Sequence, residues 1–282
     1  MLIRFGYDIK FEFSVATPMV LLLSPHPTVE CRLLQPDVIQ VTPPVSLRSH
    51  GDVFGNKATR LYAPAGGLRL FYDGLIQDCG LPDLINTSAQ QWPVDWLPDD
   101  VLPFLFDSRY CEVELLANDA WRLFGDTAPD WSRVQAICDW VYNHIEFGYE
   151  HARNTRTAYE AFKEGQGVCR DFNHLAVAFC RALHIPARYC NGYLGEIGVP
   201  PDPSPMDFSA WFEAYLGGQW YTFDARNNVP RIGRILVSRG RDAKDTALTT
   251  AFGQPLLTQF TVWTDKVSDA DEVENKSAVA VA

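Results

Sequence analysis

The chain has 282 residues, a formal net charge of −11, 47% hydrophobic residues and 21% charged ones. That length allows one large or two moderate domains with proper cores, in a composition ordinary for a globular protein. The acidic balance argues against non-specific binding to nucleic acid or to anionic membrane surfaces, both of which favour basic proteins.

The seven cysteines (31, 79, 111, 138, 169, 180 and 190) are odd in number, widely spaced and without a CxxC pair. This usage fits a reducing compartment and offers no zinc site and no cofactor signature. The first residues alternate rather than form an apolar block, so no signal peptide is expected. The longest apolar run, Met19 to Leu23, is too short to cross a bilayer, and a cytoplasmic location follows as the expectation. Oligomeric state is not legible.

Ile3, Phe5, Tyr7, Ile9, Phe11 and Phe13 occupy every odd position, the period-2 signature of a strand. Met19–Leu23 reads as a strand buried on both faces. Short runs at Cys31–Leu34, Val38–Val41 and Leu68–Tyr72 read as further strands separated by turn residues. Residues 1–100 are therefore expected to form an antiparallel β-domain, in which His26 and His50 are solvated loop residues. Pro93, Pro98 and Pro103 mark the boundary with a second unit at 101–264, and residues 265–282 read as an acidic, mobile tail.

In the second unit a helix is expected over Cys111–Phe124, closed by Gly125 as its C′ residue. Another follows Asp130 as N-cap, with Val134, Ile137, Cys138, Val141 and Ile145 on its apolar face. A short helix at Thr157–Lys163 leads into Gly165-Gln166-Gly167-Val168-Cys169. From Phe172 the apolar positions Phe172, Leu175, Ala176, Phe179, Cys180 and Leu183 make one helical stripe, which Pro186 ends. Cys180, on the stripe, reads as a core residue. Cys169 falls in the first turn, where free N–H groups and the helix dipole favour a thiolate, and so it is a candidate nucleophile. After Pro186, strands are expected at Arg188–Leu194, Ser209–Leu216 and Gln219–Asp224, the last two forming a hairpin through Gly217-Gly218. If Leu216 faces Gln219, Trp211 faces Asp224 and Ser209 lies diagonal to it.

Gly167-Val168-Cys169, Ile185-Pro186-Ala187-Arg188, Gly192-Tyr193, Ala210-Trp211 and Trp220 through Asp224 together resemble the transglutaminase-like superfamily. The resemblance runs from about Thr157 to Asp224 and implies an α+β, papain-like fold, a cysteine-bearing helix packed on an antiparallel sheet. The β-rich first hundred residues resemble, more weakly, the extra domain of bacterial members. The resemblance further implies a Cys-His-Asp triad, with Cys169 as nucleophile and Asp224 as the carboxylate that orients the base. The histidine position is held by Ser209, whose hydroxyl is no general base near neutral pH.

Two other histidines are alternatives for the base. His174 lies about 140° around the helix from Cys169, and His151 lies in the loop before Thr157. Gln166 reads either as a donor to a developing oxyanion or as an amide bonded within its own turn. Trp211 and Tyr193 either line the cleft or pack the sheet on the helix. Arg226, Arg231, Arg234, Arg239 and Arg241 either bind an acidic group or form a solvated or ion-paired face. Two functions stand: a cysteine amidase, protease or acyl transferase acting on a peptide or glutamine-type amide, or an inactive module that binds partners through the same cleft.

Overall fold

The computed structural model describes residues 1–201 and 206–267. The chain opens with strands β1 (Leu2–Phe13), β2 (Thr17–Leu21), β3 (Gln40–Thr42), β4 (Arg48–Gly51), β5 (Lys57–Ala63) and β6 (Gly66–Gln77). Helices α1 (Val113–Phe124) and α2 (Trp131–His144) follow, then β7 (Glu146–Phe147), α3 (Ala158–Glu164), β8 (Gln166–Gly167) and α4 (Cys169–Ala182). Strands β9 (Ala187–Tyr193), β10 (Ser209–Leu216), β11 (Gln219–Phe223), β12 (Ile235–Gly240), β13 (Thr249–Ala251) and β14 (Leu256–Lys266) complete it. The architecture is α+β, as expected, with three four-stranded sheets ordered β14-β1-β6-β3, β13-β2-β5-β4 and β11-β10-β9-β12.

The odd-numbered side chains of β1 are buried, Ile3, Phe5, Tyr7 and Ile9 completely, against β6 and against residues of β2 and β5. The β14 strand pairs with β1 from Ile3↔Lys266 to Glu12↔Leu256, so these residues join the sheet of the N-terminal strands rather than the helical core to which a 101–264 unit assigns them. Asp265 and Lys266, expected in the tail, close this strand, and residues 268–282 lie outside the described residues.

Four local expectations give way. Cys31–Leu34 is not a strand: Pro27 starts a 3-10 turn over Pro27–Arg32, and His26 caps it by accepting the Thr28 N–H at Nδ1. His26 is therefore buried rather than solvated, 2% exposed. The β2 strand ends at Leu21 and buries alternate residues, one face only. Gly125 keeps helical geometry, φ −58°, and is not a left-handed C′ residue.

A second core lies between α1, α2 and α4 and the face of the β9–β11 sheet bearing Phe212, Ala214 and Leu216. The α4 stripe is deeply buried, Phe172 through Leu183 included, Cys180 among them. At the far end of α4, the buried Arg181 guanidinium donates to the carbonyls of Ala187, Phe106 and Arg241, which fixes the helix against the start of β9. The other face of the same sheet, through Tyr193, Ile235 and Val237, closes the core of the N-terminal strands. No helix among the described residues is long and apolar enough to cross a membrane.

Candidate active site

Cys169 is the first residue of α4, and three contacts place it there. The Asp171 carboxylate accepts the Val168 N–H at 3.0 Å, capping the helix start from inside. The same buried carboxylate pairs with Arg156 at 3.1 Å and with Arg170 at 3.3 Å. Gly167 makes room for it, because a Cβ at that position would stand 2.8 Å from the Asp171 carboxylate oxygen. Gly167 is thus a close-approach glycine that lets the chain turn from β8 into α4 over a buried ion pair.

On the sheet side, β10 runs three residues past its pairing with β11, which begins at Phe212↔Phe223. The freed backbone of Ala210 serves α4 instead. Its N–H reaches the Cys169 sulfur, and its carbonyl accepts from Asn173 Nδ2 at 3.0 Å. Asn173, fully buried one turn after Cys169, also donates to the Cys169 carbonyl at 2.9 Å and accepts the Ala225 N–H at 3.3 Å. One amide therefore ties the nucleophile helix to β10 and to the segment just after β11. The sequence reading passed over Asn173, although its i+4 spacing from Cys169 within the motif was the available signal.

The half-buried Cys169 opens on a cavity of about 520 Å³. Ser209, Asp207, Glu196, Asn227, Arg226 and Arg231 supply its polar wall, and Phe147, Tyr149, Leu194 and Phe208 much of its apolar one. Ser209, at the position where the resemblance places a histidine, thus lines the same cavity as the thiol. No histidine lines this wall among the described residues. His174 is completely buried on the other side of α4, stacked on Tyr110, with its Nε2 accepting the Ala243 N–H at 3.0 Å. Burial holds its imidazole well below the ordinary range, with Arg170 and Arg181 adding to the effect, so it serves packing and not proton transfer. His151 ends a 3-10 turn whose neighbours Tyr149 and Ala152 reach the cavity while it does not.

The hairpin register is Leu216↔Gln219 through Phe212↔Phe223, so Asp224 follows one residue beyond the pairing. Its carboxylate is already engaged. Arg234 Nη2 donates to it at 2.9 Å, Asn227 Nδ2 at 2.8 Å, and the Arg226 and Asn227 N–H groups at 3.0 Å. Arg234 also grips Asp83 at 2.9 Å and lies 5.0 Å from the centre of the Trp211 ring. The cation expected beside Asp224 is thus a guanidinium, which cannot take up a proton.

The thiol is shifted opposite to the expectation drawn from its helix position. Burial pushes Cys169 up to about 11; the Asp207, Asp224 and Asp171 carboxylates push the same way, while the Ala210 N–H opposes them. Tyr193 is not a cleft residue: it is fully buried, 4.9 Å from the Phe5 ring and 4.7 Å from Phe208. Trp211 is buried as well, 2% exposed, and packs beneath Arg234. Gln166 pairs in register with Glu146 on β7 and is not part of the cavity wall.

The five arginines have divided roles. Arg234 and Arg241 are ion-paired, to Asp83 and Asp224 and to Asp245. Arg226 and Arg231 face the cavity. Among the described residues, no cluster of three or more His, Cys, Asp or Glu side chains is arranged to hold a metal ion.

A helix-borne cysteine packed on an antiparallel sheet, with an aspartate closing the second hairpin strand, defines the papain-like class of thiol proteins. Residues 121–225 match the model of the transglutaminase-like superfamily. A solved structure described as a putative cysteine protease, from Cytophaga hutchinsonii, is 32% identical over 95% of this chain and 91% of that one, with a TM-score of 0.82. The chain belongs to the transglutaminase-like superfamily. An uncharacterized protein of Mycobacterium leprae, ML0607, is 35% identical over 117 residues, and the chain spans only 42% of that relative's length.

Proposed function

We propose that the protein is a transglutaminase-like cysteine hydrolase or acyl transferase, in which Cys169 attacks a peptide or glutamine-type amide and Asp207 accepts the thiol proton. The observation that carries this reading is the opening of the Cys169 thiol, at the start of α4, on a cavity large enough for a side chain and its flanking backbone. Asp207 stands on the same wall and exerts the largest influence of any charged group on the thiol. Desolvation raises its own carboxyl above the usual range, which makes it a better base than an exposed aspartate. The Cys169 N–H, at the start of α4 and ahead of the first bond from Asp171 N–H to the Val168 carbonyl, suits the oxyanion that forms when sulfur adds to the carbonyl. Attack forms the S–C bond, the collapsing intermediate expels the amine with the proton held at Asp207, and water or an amine resolves the thioester.

The reaction is slow in this reading, because a carboxylate is a weak partner for a thiol near 11. A second reading has its own observation. Asp224 is bound by Arg234 and no histidine among the described residues lines the cavity, an arrangement that also suits a cleft kept for binding alone. Amine release from a panel of peptide amides separates the two. Turnover by the wild type that is abolished in Cys169→Ala and reduced in Asp207→Asn supports the enzyme; saturable peptide binding without turnover supports the binding module.

A further inference from the structure

The cavity holds two arginines with unused hydrogen-bonding capacity, and nothing in the proton chemistry above needs them. Arg226 sits over Phe147, 3.7 Å from guanidinium carbon to ring centroid, and its Nε is buried without a partner. Arg231, 8% exposed, donates to Asn227 Oδ1 and to the Gly195 carbonyl, both at 2.9 Å, and its Nε too is buried and unpartnered. Among the described residues neither guanidinium forms an ion pair, although Arg234 and Arg241 nearby in sequence both do. Burying the Arg231 guanidinium without an ion pair is costly, and such donors in native proteins are met by a ligand or by ordered water.

We propose that Arg226 and Arg231 form a carboxylate subsite in the Cys169 cavity, so that the preferred substrate is an amide bearing a carboxylate close to the bond attacked. This rests on Cys169 being the nucleophile. Planar guanidiniums offer paired N–H groups that match a carboxylate edge on. Stacking on Phe147 holds the Arg226 plane in place and leaves its edge for the ligand. Glu196 and Asp207 on the same wall offset the two positive charges. The site therefore provides a shaped donor pair whose modest positive field salt can screen, which suits a singly charged carboxylate better than a phosphate dianion.

The test compares alkylation of Cys169 by iodoacetate and by iodoacetamide, read by peptide mapping at about pH 9, where some thiolate is present. The exposed Cys31 and Cys79 of the same molecule supply the reference ratio and cancel the intrinsic difference between the reagents. The subsite predicts a Cys169 preference for iodoacetate about tenfold above that reference, falling as salt screens the attraction. Arg226→Gln should bring the ratio down to the reference, while Arg226→Lys should keep part of it. The salt dependence of the wild type keeps the test decisive should Arg226→Gln fold poorly. Labelling by both reagents at the reference ratio would overturn the subsite and leave the nucleophile intact. No labelling by either reagent would overturn both. Protection against iodoacetate by acetyl-glutamine assigns a terminal carboxylate and protection by acetyl-glutamyl-glutamine amide a side-chain one; protection by neutral acetyl-glutamine amide alone contradicts the proposal.

Discussion

Arg234 Nη2 donates at 2.9 Å to Asp224, the carboxylate that a transglutaminase-like triad would use to orient an imidazole. The buried carboxylate is thereby neutralised by a group that neither accepts nor delivers a proton. Arg234 is itself held by Asp83 from a distant loop, so the pairing is built into the fold.

This sets what a restored histidine can do. Ser209→His places an imidazole on the cavity wall beside Cys169, and general-base help of this kind is worth ~10²–10⁴-fold. Because Asp224 is already committed to Arg234 and Asn227, the imidazole is poorly oriented, and the gain should fall at about 10²-fold or below. Amine release by Ser209→His, compared with wild type at equal folded fraction, measures it. No gain with the fold intact would mean the cavity is not arranged for acyl transfer.

Asp207 should act on the thiol and on turnover in opposite directions. As the charge with the largest influence it raises Cys169, so Asp207→Asn should lower the thiol pKa and speed alkylation severalfold at neutral pH. As the base it is needed for amide attack, so the same substitution should reduce turnover by about 10²-fold. In the wild type, the alkylation rate at Cys169 should climb about tenfold per pH unit until near 11. A plateau below pH 9 would contradict the raised thiol.

Asn173→Ala removes the amide that joins the Cys169 carbonyl, the Ala210 carbonyl and the Ala225 N–H. Leaving these groups unmet in the interior should cost about 2–4 kcal/mol, by the usual penalty for unsatisfied buried polar groups. Chemical denaturation gives the stability, and a changed alkylation rate at Cys169 relative to wild type reports the loosened site.

His26 offers a pH signature away from the cavity. Burial, reinforced by Arg239 and Arg188, lowers its imidazole to about 4. The folded state thus favours the neutral ring, while the unfolded chain takes up a proton near 6.5. The stability it contributes is present above that value and is lost as pH falls from about 6.5 towards 4. Thermal melts over this window should show a steeper decline for wild type than for His26→Gln.

Local pattern reached much of this architecture. The α4 stripe, its start at Cys169, the Asp130 cap and the Gly217-Gly218 hairpin register were legible because each depends on residues a few positions apart. What was not legible depends on partners that only the folded chain brings together. The helix start argued for a thiolate at Cys169, but burial and three carboxylates from separate segments outweigh it. Tyr193 carries a family motif, yet β9 turns it to the opposite face of the sheet, onto Phe5. The return of β14 to β1 joins residues more than two hundred positions apart, and no spacing along the chain reports it. Arg226 and Arg231 were indistinguishable in sequence from Arg234 and Arg241, which the fold consumes in ion pairs.

The central claim is that Cys169 becomes acylated. Incubation with an activated acyl ester or a reactive peptide amide, acid quench and peptide mapping by mass spectrometry tests it most directly. The account predicts a thioester on the peptide containing Cys169, absent in Cys169→Ser and weakened in Asp207→Asn. Acylation confined to the exposed Cys31 and Cys79, with Cys169 unmodified, would contradict it.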